Sequence, residues 1–165
     1  MFNAVYDGSW NIETLLLGGA HEVRDFAAAP GIAETMGRFS PDGTLVAYVS
    51  NESGREEVYV RPFTPNGAHV LISADGGRRP IWSRDGSKIF FWQGNQLTYA
   101  SIVRQPSLRV TFRQPLFAGN YAQDFDVARD GRFLMIEQDN SGESLVVVPN
   151  WRTELRRVTR ASSGR

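Results

Sequence analysis

Two histidines are the side chains of this sequence best suited to acid–base chemistry at neutral pH. His21 and His69 are its only histidines, and an unperturbed imidazole titrates between pH 5 and 8. His21 is followed by Glu22 in the stretch HEVRD, but the second histidine of a zinc-binding helix is absent. Because neither histidine belongs to a nucleophile–base motif, we expect both to lie exposed on outer strands or turns, and we predict no catalytic residue.

Three aspartates close together raise a second possibility, a calcium site. The stretch QDFDVARDG, residues 123–131, contains Asp124, Asp126 and Asp130, and calcium takes several oxygen ligands. Ala128 occupies the position at which a calcium loop needs a further oxygen, and no glutamate closes the loop. We therefore expect these acids to face solvent or a central channel, and we predict neither a metal nor a cofactor.

The C-terminal stretch WRTELRRVTRASSGR has a local excess of basic residues, five arginines against one glutamate. Trp151, Leu155 and Val158 are spaced to share one face of a helix, with a separate stripe of arginines. This spacing predicts a short closing helix that ends at Val158, followed by a disordered tail over residues 159–165. An anion-binding tail is the alternative interpretation.

The composition narrows the choice of partners. The 165 residues include 18 basic and 18 acidic side chains, so no overall charge would hold nucleic acid or an anionic membrane at the surface. Cysteine is absent, which excludes disulfides, thiolate metal sites and cysteine nucleophiles. The N-terminus lacks a basic segment followed by a long apolar run. We expect neither nucleic-acid binding nor membrane insertion by this chain, and the compartment stays open.

A recurring Asp-Gly pair indicates how the strands that carry these residues are arranged. The pair occurs three times, at intervals of 43 and 45 residues, as Asp42-Gly43, Asp85-Gly86 and Asp130-Gly131. Large apolar residues stand three positions before each aspartate and three and five positions after each glycine, the spacing of strands that bury one face. Each pair therefore predicts a β-hairpin. In the first copy, SPDG, Pro41 presets one corner of the turn and Gly43 supplies its left-handed residue.

Further apolar runs follow each hairpin. EVYVRPF, QLTYASI and SLVVVPN supply a third strand, and AHVLISA and RQPLFAG supply a fourth. Four strands in a repeat of about 40–45 residues is the spacing of a β-propeller blade. We predict an all-β chain of four-stranded antiparallel blades, about 3.5 blades in all, with only two strands in the first. The predicted partial propeller covers residues 1–158, divided as 1–31, 32–77, 78–119 and 120–158.

Most aromatic residues fall at strand positions and are expected to pack between blades. This group comprises Phe39, Tyr48, Tyr59, Trp82 and Phe91. Trp10 and Trp151 lie near the two ends of the repeat, and we predict them to be exposed aromatics available for binding.

The repeat resembles the TolB-type, WD-like propeller family, whose blades carry an SPDG turn after an aromatic or apolar strand. The resemblance rests on RFSPDGTLVAYVSNESGREEVYVRPF and PIWSRDGSKIFF. Residues 8–158 are similar to the C-terminal propeller of bacterial membrane-anchored serine/threonine kinase-like proteins, which lies outside the cytoplasmic membrane and is thought to bind ligands or proteins. No kinase glycine-rich loop, HRD or DFG motif occurs here. The resemblance therefore implies an extracytoplasmic, non-catalytic sensor or scaffold module of a larger signalling protein.

Two other functions stay open, and so does the way the ring closes. Blades of this kind also belong to prolyl-oligopeptidase-like hydrolases, although the GxSxG elbow is absent here, and to TolB-like periplasmic adaptors. Propellers close with about four to eight blades. We therefore expect a fragment of a longer gene product, a homo-oligomer that completes the ring, or an open arc. The expected partner is a protein or a small ligand, of unknown identity.

Overall fold

A computed structural model describes residues 1–6, 8–19, 21–64, 67–139 and 142–148. Within these ranges the chain forms fourteen β-strands and no helix, and no helix there is long and apolar enough to span a membrane. The predicted closing helix, the tail over residues 159–165 and Trp151 all lie outside the described residues. The described part of the chain is all-β, as the sequence predicts.

The strands form four antiparallel sheets that follow one another along the sequence. The first contains β1 (Phe2–Tyr6), β2 (Ser9–Leu15) and β3 (Val23–Ala27). The second contains β4 (Glu34–Phe39), β5 (Leu45–Ser50), β6 (Glu57–Pro62) and β7 (Val70–Leu71). The third contains β8 (Arg78–Trp82), β9 (Lys88–Gln93), β10 (Gln96–Val103) and β11 (Arg109–Ala118). The fourth contains β12 (Tyr121–Val127), β13 (Phe133–Asp139) and β14 (Gly142–Val148). Strands that are consecutive in sequence are neighbours in every sheet, so each sheet is a meander.

The first sheet has three strands, and the prediction of two was wrong. β1 pairs with β2 from Phe2 opposite Glu13 to Tyr6 opposite Ser9, and Gly8 in the connection has a φ of 78°. A strand of five residues is too short for an alternating apolar pattern to stand out from its sequence, which is why β1 was missed.

The three Asp-Gly pairs lie between the first and second strands of the last three sheets. Gly43, Gly86 and Gly131 have φ values of 72°, 68° and 83°, in the left-handed region that glycine enters without a side-chain clash. The turns therefore set the pairing of β4 with β5, β8 with β9 and β12 with β13.

The apolar core is divided into three clusters, each between two consecutive sheets. Ile12 and Phe26 pack on Tyr48 between the first two sheets, and the other clusters fill the next two gaps. Because the second sheet is covered on both faces, every residue of β5 is buried. The prediction that the strand after the turn buries one face was therefore wrong for β5.

Four of the five aromatics expected in the core are buried, and Phe39 is not. Phe39 is 40% exposed because it ends β4 and projects beyond the strands, where its ring lies edge-on to Phe63 at 4.8 Å between centroids.

Candidate functional site

The first strands of three consecutive sheets lie next to one another. β8 contacts β4 on one side and β12 on the other. Two tryptophans fix the spacing between these sheets: Trp82 Nε1 donates to the carbonyl of Arg38 at 3.0 Å, and Trp92 Nε1 donates to the carbonyl of Gln123 at 2.9 Å. Both indoles belong to buried side chains, for which a missing partner would cost about 1–3 kcal/mol. Each sheet is therefore held in place against its neighbour at this point.

Each of the three strands has an irregular register at the same point of the repeat. The irregularities fall between Thr35 and Arg38, between Arg78 and Ile81, and between Tyr121 and Phe125. Within them, Met36, Arg79 and Asp124 each stand six residues before the aspartate of a turn. Met36 and Arg79 have φ values of 58° and 54°, a conformation that costs a residue with a side chain about 1–2 kcal/mol. Such irregularities redirect side chains, and they cluster at functional sites.

The redirected side chains meet in one pocket. Met36, Arg79 and Asp124 line it together with Arg38 and Phe125. Arg79 Nη1 lies 2.8 Å from Asp124 Oδ1, with the two side chains 38% and 70% exposed. An ion pair this exposed contributes at most about 1 kcal/mol to stability, so its main effect is to orient the guanidinium. The pocket thus offers a positive charge, a negative charge and apolar surface within one small space.

Arg79 has one donor that the fold leaves unused. Its Nε is buried and has no hydrogen-bond partner among the described residues. Buried donors are paired in the great majority of cases, so an unpaired one beside a strained backbone is typical of a site whose geometry serves binding rather than stability.

A buried carboxylate positions the start of β8. The side chain of Glu57 is 2% exposed and accepts hydrogen bonds from Ser73 Oγ, from the backbone N of Gly76 at 2.9 Å and from Arg55 Nε at 2.6 Å. Burial acts to raise the pKa of Glu57, but these three donors outweigh it and hold the pKa below its ordinary value. Ser73 and Gly76 belong to the connection that leads into β8, so this network fixes the backbone just before Arg79.

The aspartates of the repeated turns have a structural role. Asp42 Oδ1 accepts from Ser40 Oγ at 2.6 Å, and Ser40 Oγ in turn accepts from the backbone N of Leu45 at 2.9 Å. The turn at Asp85 repeats this arrangement with Ser83. The third copy has alanine in place of the serine and lacks these bonds.

The turns also connect neighbouring sheets. Arg104, directly after β10, donates through Nη1 to Asp42 Oδ2 and to Thr44 Oγ1. Hydrogen bonds from Ser40 and from Arg104 hold the pKa of Asp42 well below its usual range. The turn of the second sheet is therefore attached to the third sheet.

The histidines and Trp10 are not part of the pocket. His21 is exposed between β2 and β3. His69 Nε2 lies 2.9 Å from Glu52 Oε1, and its ring stands edge-on to Tyr59 at 5.3 Å. Trp10 is 50% exposed.

The three aspartates considered for calcium have separate partners. Asp124 pairs with Arg79, Asp126 accepts from the backbone N of Val127, and Asp130 accepts from Arg132 Nε at 2.8 Å. In the described part of the chain, no three histidine, aspartate or glutamate side chains are grouped so as to hold a metal ion.

The sequence analysis missed Met36, Arg79 and their grouping with Asp124, and it missed the role of the turn serines, although a longer alignment of the repeats shows both. Met36, Arg79 and Asp124 occupy one repeat position, which shows only when the alignment is extended six residues before the turn. The serine that precedes the turn aspartate by two residues recurs as Ser40 and Ser83, and this spacing is a hydrogen-bonding turn signal.

Comparison with known proteins settles the fold. No family model and no curated protein matches the chain. The structure of TolB from Acinetobacter baumannii superposes with a TM-score of 0.70 and 19% identity, over 89% of this chain and 37% of that one. The four sheets therefore have the fold of β-propeller blades. At this identity the likeness is one of fold alone.

Two further solved structures match parts of the chain. A luciferin-regenerating enzyme matches with a TM-score of 0.55 and 9% identity, over 88% of this chain and 60% of that one. An acylaminoacyl peptidase from Pyrococcus horikoshii matches with a TM-score of 0.44 and 22% identity, over 64% of this chain and 18% of that one. The chain spans less than two thirds of each of these proteins.

Proposed function

We propose that this chain is a non-catalytic β-propeller module that binds a protein segment or a small ligand in the pocket between β4, β8 and β12. The observation that carries the proposal is the convergence of Met36, Arg79 and Asp124, one from each strand, at three irregularities of register. The left-handed backbone of Met36 and Arg79 lowers stability, and such strain is typical of functional sites.

The two histidines lie apart from the pocket, which is lined by other residues. His69 contacts Glu52 and Tyr59, and His21 lies in the connection between β2 and β3. The pocket pair, Arg79 and Asp124, is suited to recognising charge.

The number of blades bears on how the propeller ring is completed. Two four-stranded and two three-stranded sheets are fewer than most propeller rings contain, and the chain covers 37% of TolB. We propose that further blades complete the ring in a larger scaffold or sensor protein, or that a second copy of this chain does so. Light scattering after size-exclusion chromatography tests the second arrangement, since a stable dimer supports it and a monodisperse monomer contradicts it.

Selection from a random peptide library displayed on phage tests the binding function. The wild-type protein, Arg79→Gln and Arg129→Gln serve as immobilised targets. Arg129 is the matched control because it is exposed and has no ion-pair partner in the described residues. We expect peptides enriched on the wild type to be retained by Arg129→Gln and lost from Arg79→Gln. Equal enrichment on all three proteins would refute the assignment of the pocket.

A further inference from the structure

A second groove, separate from the pocket of the proposed function, lies between the first and second sheets. Phe26 of β3, Arg61 of β6 and the residues that follow β6, Phe63 and Thr64, line it together with Asp25. It opens at the end of the blades where the Asp42-Gly43 turn lies, because Phe63 N donates to the carbonyl of Thr44 in that turn.

Arg61 is a half-buried cation that forms no close ion pair in the described residues. Its Cζ lies 4.0 Å from the ring centroid of Phe26 and 5.9 Å from that of Tyr48. Its Nε is buried and has no hydrogen-bond partner, and within the described residues no carboxylate forms an ion pair with it. Stacking on the two rings supports the guanidinium, but it leaves the N–H groups at the guanidinium edge without acceptors.

The other charged residues around the groove form no close ion pair with Arg61 in the described residues. Arg24 at the rim is paired with Glu22 at 2.7 Å. Asp25 is exposed, so solvent screens its repulsion of an incoming anion. Glu34 is buried and accepts from the backbone N of Ala29 at 3.0 Å. Burial raises its pKa, and the Ala29 hydrogen bond and the Arg61 charge only partly offset this. Glu34 and Arg61 form no close ion pair in the described residues, so the guanidinium can still take a carboxylate.

An exposed aromatic surface continues from the groove. The ring of Phe63 stacks on Phe26 at 5.8 Å and meets Phe39 edge-on at 4.8 Å. Phe63 and Phe39 are 41% and 40% exposed. This surface extends beyond the guanidinium and can contact more than one apolar group at once.

We propose that the groove binds the C-terminus of a peptide chain whose last side chain is apolar. Two parallel N–H groups of Arg61 hold the terminal carboxylate, since a guanidinium matches the geometry of a carboxylate. Phe63 and Phe39 contact the last side chain and the residue before it. A peptide terminus fits better than a small free acid because only a chain supplies apolar groups along the whole aromatic surface.

Fluorescence polarisation with a labelled peptide ending in Gly-Phe tests this inference, using the free acid and the C-terminal amide as the paired probes. We expect the acid to bind the wild type at least about tenfold more tightly than the amide, the difference that a charge-assisted pair supplies. Arg61→Gln removes this preference, and Arg61→Lys restores part of it because the charge returns without the planar fork. Arg84→Gln, an exposed arginine of the second turn, leaves it unchanged.

A second variant and a competition experiment complete the test. Phe63→Ser changes an exposed side chain, so the variant folds even if Arg61→Gln does not, and it weakens binding of the acid. Equal affinity for acid and amide, or full binding by a folded Arg61→Gln, overturns the inference. Competition by free phenylacetate at the same concentration as the peptide overturns the assignment to a chain terminus. Each result is independent of Arg79, so the proposed function stands or falls separately.

Discussion

Replacing Glu57 by glutamine should destabilise the protein far more than the same change at the adjacent Glu56. In the wild type, Ser73 Oγ donates to Glu57 Oε2 and accepts from the backbone N of Val58 at 2.8 Å. In Glu57→Gln, an NH2 group occupies the position of one carboxylate oxygen. If that NH2 faces Ser73, the serine proton has no acceptor in a fully buried position.

The magnitude follows from the bonds that change. One charge-assisted hydrogen bond is lost, and the bonds from Gly76 and Arg55 then reach a neutral oxygen. Hydrogen bonds to charged groups contribute about 1.5–3 kcal/mol each, so we expect the free energy of unfolding to fall by about 2–4 kcal/mol at pH 7. Glu56 pairs with Arg78, and the two side chains are 38% and 48% exposed. Glu56→Gln should therefore cost less than about 1 kcal/mol.

The stability that Glu57 contributes should depend on pH in a definite direction. The pKa of Glu57 is held below its ordinary value of 4.5 in the folded protein, so its stabilisation is present above about pH 4.5 and disappears as the pH falls through the folded pKa. Urea unfolding followed by tryptophan fluorescence from pH 7 to pH 3 measures both variants against the wild type. The wild type and Glu57→Gln should converge as the pH falls. A loss no larger than that of Glu56→Gln at pH 7, or one that is constant down to pH 3, would refute the reasoning.

Three further predictions concern the turns and the core. Gly43→Ala places a side chain at a φ of 72° and should lower the free energy of unfolding by about 1–2 kcal/mol. The control Gly18→Ala has open space around it and should have little effect. Equal urea midpoints for the two variants would contradict this prediction. Phe91→Ala empties a fully buried position and should cost about 3–5 kcal/mol, against a much smaller loss for Phe39→Ala in the same assay. Hydrogen bonds from Ser83 and Ser87 lower the pKa of Asp85 to about 2, so Asp85 stabilises the fold above its ordinary pKa of 3.8 and less as the pH falls towards 2. Thermal melts of Asp85→Asn should accordingly depend less on pH between 4 and 2 than those of the wild type, and parallel pH profiles would count against the role given to this aspartate.

The blades could be predicted from the sequence because their signals are local. The Asp42-Gly43 turn and its two later copies fix where hairpins form, and alternating apolar residues mark the strands on either side. β1 was missed because five residues carry too little of that alternation. Burial of both faces of β5 was missed because it depends on the sheet that comes before and the sheet that comes after, which no single strand encodes.

The candidate site was predictable only in part. The sequence predicts that Asp124 lies on a strand and faces solvent or a channel. No motif or local pattern marks Met36 or Arg79 as a residue of a site. Their meeting with Asp124 depends on how three sheets stack and on irregularities of register within β4, β8 and β12. Such irregularities leave little trace in composition or periodicity. Only the shared spacing of six residues before each turn aspartate connects the three positions in the sequence.

The affinity of one selected peptide for three proteins tests the central claim most directly. Fluorescence polarisation would compare the wild type, Arg79→Gln and the control Arg129→Gln, with circular dichroism to verify that all three are folded. If the pocket between β4, β8 and β12 is the binding site, Arg79→Gln should bind at least about tenfold more weakly, because a charged contact contributes roughly 1.5–3 kcal/mol, and Arg129→Gln should bind as the wild type does. Equal dissociation constants for all three folded proteins would contradict the account.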